Sequence, residues 1–413
     1  MKSCLSRTKK ERIALKKLVS LMLALALVLG VMSFASAEEM KVAMITDYGD
    51  ITDQSFNQTT WEAVVSFGTA NNVEYKYYKP DTNDTAGRVA KVEMAIADGY
   101  NVIVLPGFAF GGTVAEISGD YPEVKFIVLD VSKGDLLEGG VALKGESYDY
   151  NPDGWNLTDY VYMDNVYCAI YQEELCGYMA GYAAVKLGYT DLGFLGGMAV
   201  PAVIRYGYGF VQGCDAAAKE MGINVNMKYV YGNQFFGDAD ITAYMDNWYQ
   251  NGTQIVFACG GGIYTSAVDA AKKVDGAKVI GVDVDQSGVI AKYAAGEGAS
   301  EAELAKWADL TVTSAMKGLA PTTIDTLTDV VLNGNWDKYA GKIETLGLVS
   351  GDDASLNYVQ IPMTTQFVDG KFTAEDYQAL VKGMFDGTIT VSNDIVNAPA
   401  VSNVSVEYLG NIK

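Results

Sequence analysis

The residues of this chain best able to hold a small polar molecule stand where short apolar runs end. Val42–Thr46 leads into Asp47, followed by Gly49, Asp50, Asp53, Ser55, Phe56 and Asn57. Val102–Pro106 leads into Gly107-Phe108, Phe126–Asp130 closes on its own carboxylate, and Leu192–Gly196 leads into Gly197. Ile255–Cys259 meets Gly260-Gly261-Gly262, and Val279–Asp283 continues as Val284-Asp285-Gln286. Glycines let a ligand come close to the backbone, and acids and amides at neighbouring tips can converge on it. A single acid in such a place is ordinarily a helix cap. Several in one set of strands point to a binding cleft.

Other chemistries are harder to build from this composition. The sequence has no histidine, which removes the commonest general base, the usual member of a nucleophilic triad and a common metal ligand. Cys168, Cys176, Cys214 and Cys259 follow no CxxC or zinc spacing and sit in apolar surroundings, which predicts buried free thiols. No catalytic residue, metal site or cofactor is therefore expected. The formal net charge is −21, and a surface that acidic repels phosphate backbones, so nucleic acid is not an expected partner.

These tips need a scaffold, and the pattern between them supplies one. Short runs rich in Val, Ile, Leu and Phe, among them also Tyr75–Lys79, Val166–Tyr171 and Met227–Tyr231, alternate with helix-length segments. They read as buried parallel strands of an α/β fold. Asp84–Asp98 places Val89, Val92, Ala95 and Ile96 on one helical face, and Glu173–Lys186 reads as a helix whose small residues permit close packing. So many strand–helix units exceed one ordinary sheet, which predicts two similar lobes. Ligands of open α/β sheets bind beyond the carboxyl ends of the strands, where the polar tips lie. Ser132–Asn165 breaks the rhythm: it is polar, aromatic and turn-rich, and reads as a long loop.

The N-terminus sets the compartment. Residues 1–37 carry seven basic side chains and one acid, then the apolar run Leu18–Val31, then Ala35-Ser36-Ala37. That is the order of a cleavable secretory signal, and the run is short for a membrane span. Cleavage is expected after Ala37. A lipidated protein would need a cysteine directly after that site; Glu38 and Glu39 stand there, so an exported, unlipidated protein is predicted.

The segment Asp47-Tyr-Gly-Asp-Ile-Thr-Asp-Gln-Ser-Phe-Asn-Gln resembles the opening signature of the basic membrane protein family of ABC-transporter substrate-binding proteins, which includes purine nucleoside receptors. The likeness continues through Leu105-Pro-Gly-Phe, the stretch from Gln172 to Ala184, Leu192-Gly-Phe-Leu-Gly-Gly-Met, Val203-Ile-Arg-Tyr-Gly-Tyr-Gly-Phe, Cys259-Gly-Gly-Gly, Gly281-Val-Asp-Val-Asp-Gln and Thr313-Ser-Ala-Met-Lys.

The resemblance implies a type I periplasmic-binding-protein fold, two doubly wound parallel-sheet lobes joined by three hinge crossovers. The first lobe would take residues 38–170 and 313–345, the second 171–312 and 346–413. It implies a monomeric, non-enzymatic receptor that closes on a small molecule and delivers it to an ABC permease. Phe56 is similar to an aromatic that stacks on the base, with Tyr206 completing a sandwich. Asp47 and Asn57 resemble residues that bond the base edge. Asp283 and Lys317 resemble a pair that binds ribose hydroxyls, with the Gly260-Gly261 backbone close by, and Phe108 and Asp130 complete the expected ligand set. Phe56 as a core ring and Lys317 as a solvated helix lysine are plainer uses of the same residues. A receptor for a sugar or another small metabolite, a ligand-presenting sensor and a nucleoside hydrolase built on the Asp283-Val-Asp carboxylates are the alternative functions.

Overall fold

The computed structural model describes residues 39–413; the expected signal segment and its cleavage site lie outside them. Lys41–Lys413 forms one compact unit. All nine apolar runs are strands: β1 (Val42–Ile45), β2 (Tyr75–Tyr78), β3 (Val102–Pro106), β4 (Lys125–Leu129), β5 (Val166–Tyr171), β6 (Asp191–Gly196), β7 (Val225–Tyr231), β8 (Ile255–Cys259) and β9 (Lys278–Asp283). Four more follow: β10 (Thr311–Lys317), β11 (Lys342–Leu346), β12 (Val359–Gln360) and β13 (Val404–Asn411).

They form two sheets. The first runs β11-β5-β4-β3-β1-β2 and is wholly parallel. The second runs β12-β10-β9-β8-β6-β7-β13 and is parallel except for the short edge strand β12. Central strands such as Val102–Pro106 and Ile255–Cys259 are buried on both faces, which is why they are continuous apolar runs rather than alternating ones. Each sheet orders its strands about a switch point beside β1 or β6, so the carboxyl ends of β1, β3 and β4 face one crevice and those of β6, β8 and β9 another.

The helices needed for the site are α1 (Phe56–Asn71), α2 (Thr85–Ala97), α3 (Phe110–Ile117), α4 (Lys133–Leu143), α5 (Glu173–Leu187) and α6 (Pro201–Met221). The chain passes between sheets three times: from β5 into α5, after β10, and from β11 to β12.

The structure corrects the sequence reading in two places. Thr311–Lys317 pairs with β9 and β12, so residues 313–317 belong to the second sheet and the crossing follows Lys317. Val312 and Ala315 are fully buried there, and Gly318 and Pro321 supply the break. Ser132–Asn165 is not one loop. Ser132 and Asp135 form a reciprocal capping box, and Lys133–Leu143 is a helix that buries Leu136, Leu137 and Val141. Its Gly139-Gly140 pair blurred the period; it lets the helix backbone pass close to Gly112 and Tyr160.

Cys168, Cys176, Cys214 and Cys259 are buried and unpaired, and burial pushes each thiol pKa up. No described helix is long and apolar enough to cross a membrane.

Candidate functional site

A cleft at the carboxyl ends of both sheets is lined by Asp47, Phe56, Asn57, Phe108 and Asp130 from the first and by Tyr206, Phe235, Gly260, Asp283 and Lys317 from the second. It holds about 640 Å³ of atom-free space, part of it open to solvent, of which about 80 Å³ admits the centre of a water molecule. All ten residues expected from the sequence line it. The aromatic 148–160 stretch contributes no lining residue.

The first polar cluster is built by the turn between β1 and α1. Asp53 caps α1, accepting from the backbone N–H groups of Ser55, Asn57 and Gln58 at 2.9, 3.0 and 3.1 Å. The Asn57 side-chain amide then donates to Asp47 Oδ1 at 3.0 Å and to Asp53 Oδ2 at 3.1 Å. Burial raises the pKa of Asp47 and pushes that of Asp53 up to about 6, against the hydrogen bonds that favour their charged forms. With both its N–H groups directed at carboxylates, Asn57 turns Oδ1 the other way, and that buried oxygen has no hydrogen-bond partner among the described residues. Gly107 permits the close packing: a Cβ there would lie 2.1 Å from Asp47 Oδ2.

The second cluster surrounds Lys317, the last residue of β10. Its ammonium pairs with Asp130 Oδ2, lies 3.5 Å from Glu173 Oε1 and 3.7 Å from Asp283 Oδ1, and sits 4.7 Å from the centre of the Phe56 ring. Burial opposes its charge, but Asp130, Asp283 and Glu173 outweigh that and hold its pKa above the ordinary lysine value. Lys317 is thus a buried strand-end cation and not a solvated helix lysine. Burial raises the pKa of Asp130, with Lys317 opposing the rise. Asp130 and Asp283 both leave their strands with left-handed backbones, at φ 59° and 65°. Aspartate tolerates that region better than most residues, and the strain of such positions gathers at ligand sites. Asp130 Oδ1 is buried without a hydrogen-bond partner among the described residues.

Aromatic rings fill the space between. Tyr48 stacks on Phe108 at 5.6 Å and meets Phe235 of the second sheet at 6.3 Å. Tyr206 is buried, with its hydroxyl 3.3 Å from Asp283 Oδ1 and its ring edge-on to Phe257 at 6.1 Å. Phe235 lies against Gly197, Gly260 and Gly261 and is only half-buried. Two further contacts tie the lobes: Ser55 Oγ donates to Asp283 Oδ2 at 2.6 Å, and the Gln286 amide donates to the Gln54 carbonyl at 3.1 Å.

Glu173, Arg205 and Phe235 were not among the expected site residues. Phe235 stands in the irregular Gly-Asn-Gln-Phe-Phe-Gly stretch after β7, and its only sequence signal is that it follows a strand end. Glu173 begins α5 and Arg205 lies one turn into α6, two helices whose proximity no local pattern reveals.

The sequence pattern of the family described as "ABC transporter substrate-binding protein PnrA-like" matches residues 40–348. The chain belongs to that family. It is thus a substrate-binding protein of an ABC transporter, and the family implies a small-molecule ligand and a permease partner. A relative in Lactococcus lactis named "ABC transporter nucleoside-binding protein BmpA" is 25% identical over 81% of this chain and 89% of its own length. "Basic membrane protein B" of Borreliella afzelii is 26% identical over 61% of this chain and 67% of its own length. An uncharacterized lipoprotein of Pyrococcus furiosus is 24% identical over 84% of the chain and 78% of its own. Among solved structures, a solute-binding protein of an ABC transporter system from Aeropyrum pernix superposes with a TM-score of 0.59 at 19% identity, covering 85% of this chain and 87% of that one. One from Conexibacter woesei gives 0.58 at 18%, covering 86% and 99%. These neighbours share the fold, the two-lobed type I arrangement expected from the sequence.

Proposed function

We propose that this substrate-binding protein closes on a purine nucleoside and hands it on chemically unchanged. The observation that carries the reading is the pair of buried, unpartnered acceptors, Asn57 Oδ1 and Asp130 Oδ1, in a cleft lined by aromatic rings. A buried acceptor without a donor is costly, by about 1–3 kcal/mol, and a nucleoside offers donors at both ends: the base edge to Asn57 and Asp47, the ribose hydroxyls to Asp130 and Asp283. Lys317 donates to the same hydroxyls. Phe56 and Phe235, one from each lobe, offer the ring faces; Tyr206 acts as a polar wall, since its hydroxyl is engaged by Asp283 and its ring is held edge-on. Nucleoside binding by the Lactococcus relative supports the same reading.

The receptor acts as a monomer, outside the membrane, after cleavage near Ala37 and without a lipid on the mature N-terminus. Asp283, the acid best placed for hydrolytic chemistry, already accepts from Ser55 and Tyr206 and faces Lys317. Binding hydroxyls requires no proton transfer from it. Native mass spectrometry of the purified protein tests the assignment: a co-purifying purine nucleoside is expected, whereas a retained sugar or amino acid contradicts it.

A further inference from the structure

The ammonium of Lys317 is held by more than the residues that line the cleft. Glu173 is fully buried, does not line the cavity, and reaches it only through Lys317 Nζ, 3.5 Å from its Oε1. Its other oxygen accepts from Arg205 Nε at 2.6 Å. Arg205 is the fifth residue of α6, and its side chain is largely buried. Its place there is explained by the acid it faces. The two helices pack with their backbones in close contact: a Cβ on Gly177 of α5 would lie 2.2 Å from the Tyr206 carbonyl oxygen of α6.

We propose that Glu173, with Arg205 as its counter-charge, is the positioning residue that keeps the Lys317 ammonium aimed at the hydroxyls of a bound ligand. The proposal rests on the nucleoside reading of the cleft. An ammonium has three donors. Asp130 and Glu173 accept two of them, and Asp283 Oδ1 at 3.7 Å is beyond hydrogen-bonding distance, which leaves the third for a ligand.

Topology makes Glu173 different from the other two acids. Asp130 ends a strand of the first sheet, so its distance from Lys317 changes whenever the lobes part. Glu173 begins α5, which packs against β10 and α6 of the second lobe and travels with Lys317. In an open cleft Glu173 keeps the ammonium where the closed cleft needs it. Without the Glu173 charge, Lys317 settles between Asp130 and Asp283 and masks the two carboxylates that the ribose requires.

The test is calorimetric titration of inosine and hypoxanthine into wild type, Glu173→Gln, Lys317→Met and the double variant, each first checked by thermal melting. Glu173→Gln is expected to weaken inosine about tenfold and hypoxanthine less than twofold. Added to Lys317→Met, it should weaken inosine no further, because its effect passes through that ammonium. Equal losses for nucleoside and base, or full additivity in the double variant, overturn the positioning role and leave the nucleoside reading intact. A wild type that binds neither compound overturns both. Should Glu173→Gln not fold, Arg205→Gln reads the same coupling from its more exposed end: a selective loss of inosine supports the proposal, and unchanged inosine affinity refutes it.

Discussion

Ser55 and Asp283 meet across the cleft. The serine hydroxyl, at the start of α1, donates to Oδ2 of the aspartate that ends β9, at 2.6 Å, and both residues are buried. The bond joins the ligand cluster of one lobe to that of the other, so closure is built into the site rather than added at its rim. Hydrogen bonds to charged groups are worth about 1.5–3 kcal/mol. Ser55→Ala should therefore weaken ligand binding by roughly ten- to a hundred-fold. Small-angle scattering should show a more extended free form than wild type. Unchanged affinity and unchanged scattering would mean the contact does not contribute to closure.

The two rings offered as stacking faces give a second prediction. Phe56→Ala and Phe235→Ala should each weaken nucleoside by about 1–3 kcal/mol, the usual worth of stacking one base. Tyr206→Phe keeps the ring and loses only the hydroxyl on Asp283, so it should cost less than either. Titration of the three variants decides; a larger loss at Tyr206→Phe than at Phe235→Ala would exchange their roles.

Asp283 provides a test that separates sugar from base. Asp283→Ala removes the acceptor of Ser55 and Tyr206 and one of the acids facing Lys317. Nucleosides should lose a few kcal/mol, on the order expected for a buried charge left unpaired. Adenine and guanine, which have no ribose, should lose only the closure contribution that Ser55→Ala measures. A loss for free bases as large as that for nucleosides would place Asp283 elsewhere in ligand recognition.

Glu174 makes stability depend on pH. It is buried with Oε2 unpartnered, and burial, followed by the neighbouring Glu173 charge, pushes its pKa up to about 7. A carboxyl whose pKa is higher in the folded than in the unfolded chain is bound to more protons in the folded chain between those two values, so stability falls as pH rises through them. From an ordinary glutamate value near 4.3 to about 7, the loss is about 4 kcal/mol. Glu174→Gln should match wild type below pH 4 and exceed it by up to that amount above pH 7. Denaturant melts of both proteins from pH 4 to 8 measure the difference; parallel curves would show that Glu174 is not titrating in that window.

How much of this was legible beforehand follows from what each residue's neighbours advertise. Val102–Pro106 and Ile255–Cys259 announce themselves because a strand buried on both faces has little room for polar residues. Thr311–Lys317 does not: Thr-Val-Thr-Ser-Ala-Met-Lys is half polar, and two of its hydroxyls find partners inside the second lobe, Ser314 with the Gln286 backbone and Thr313 with Thr365. Asp47, Asp130 and Asp283 could be read as cleft residues because the strand-end rule needs only the local pattern. The Glu173–Arg205 pair could not, since its meaning comes from how α5 and α6 pack. Nor could Phe235, whose position depends on where the loop after β7 folds back against Gly260 and Gly261.

The proposed function requires that the cleft bind one purine nucleoside between the two lobes. Calorimetric titration of the purified protein, freed of retained ligand by unfolding and refolding, with inosine, guanosine and adenosine tests it most directly. Saturable one-to-one binding of at least one of them is expected, with the nucleoside recovered intact. No binding of any nucleoside alongside stoichiometric binding of a free sugar, or release of free base beyond one equivalent, would contradict it.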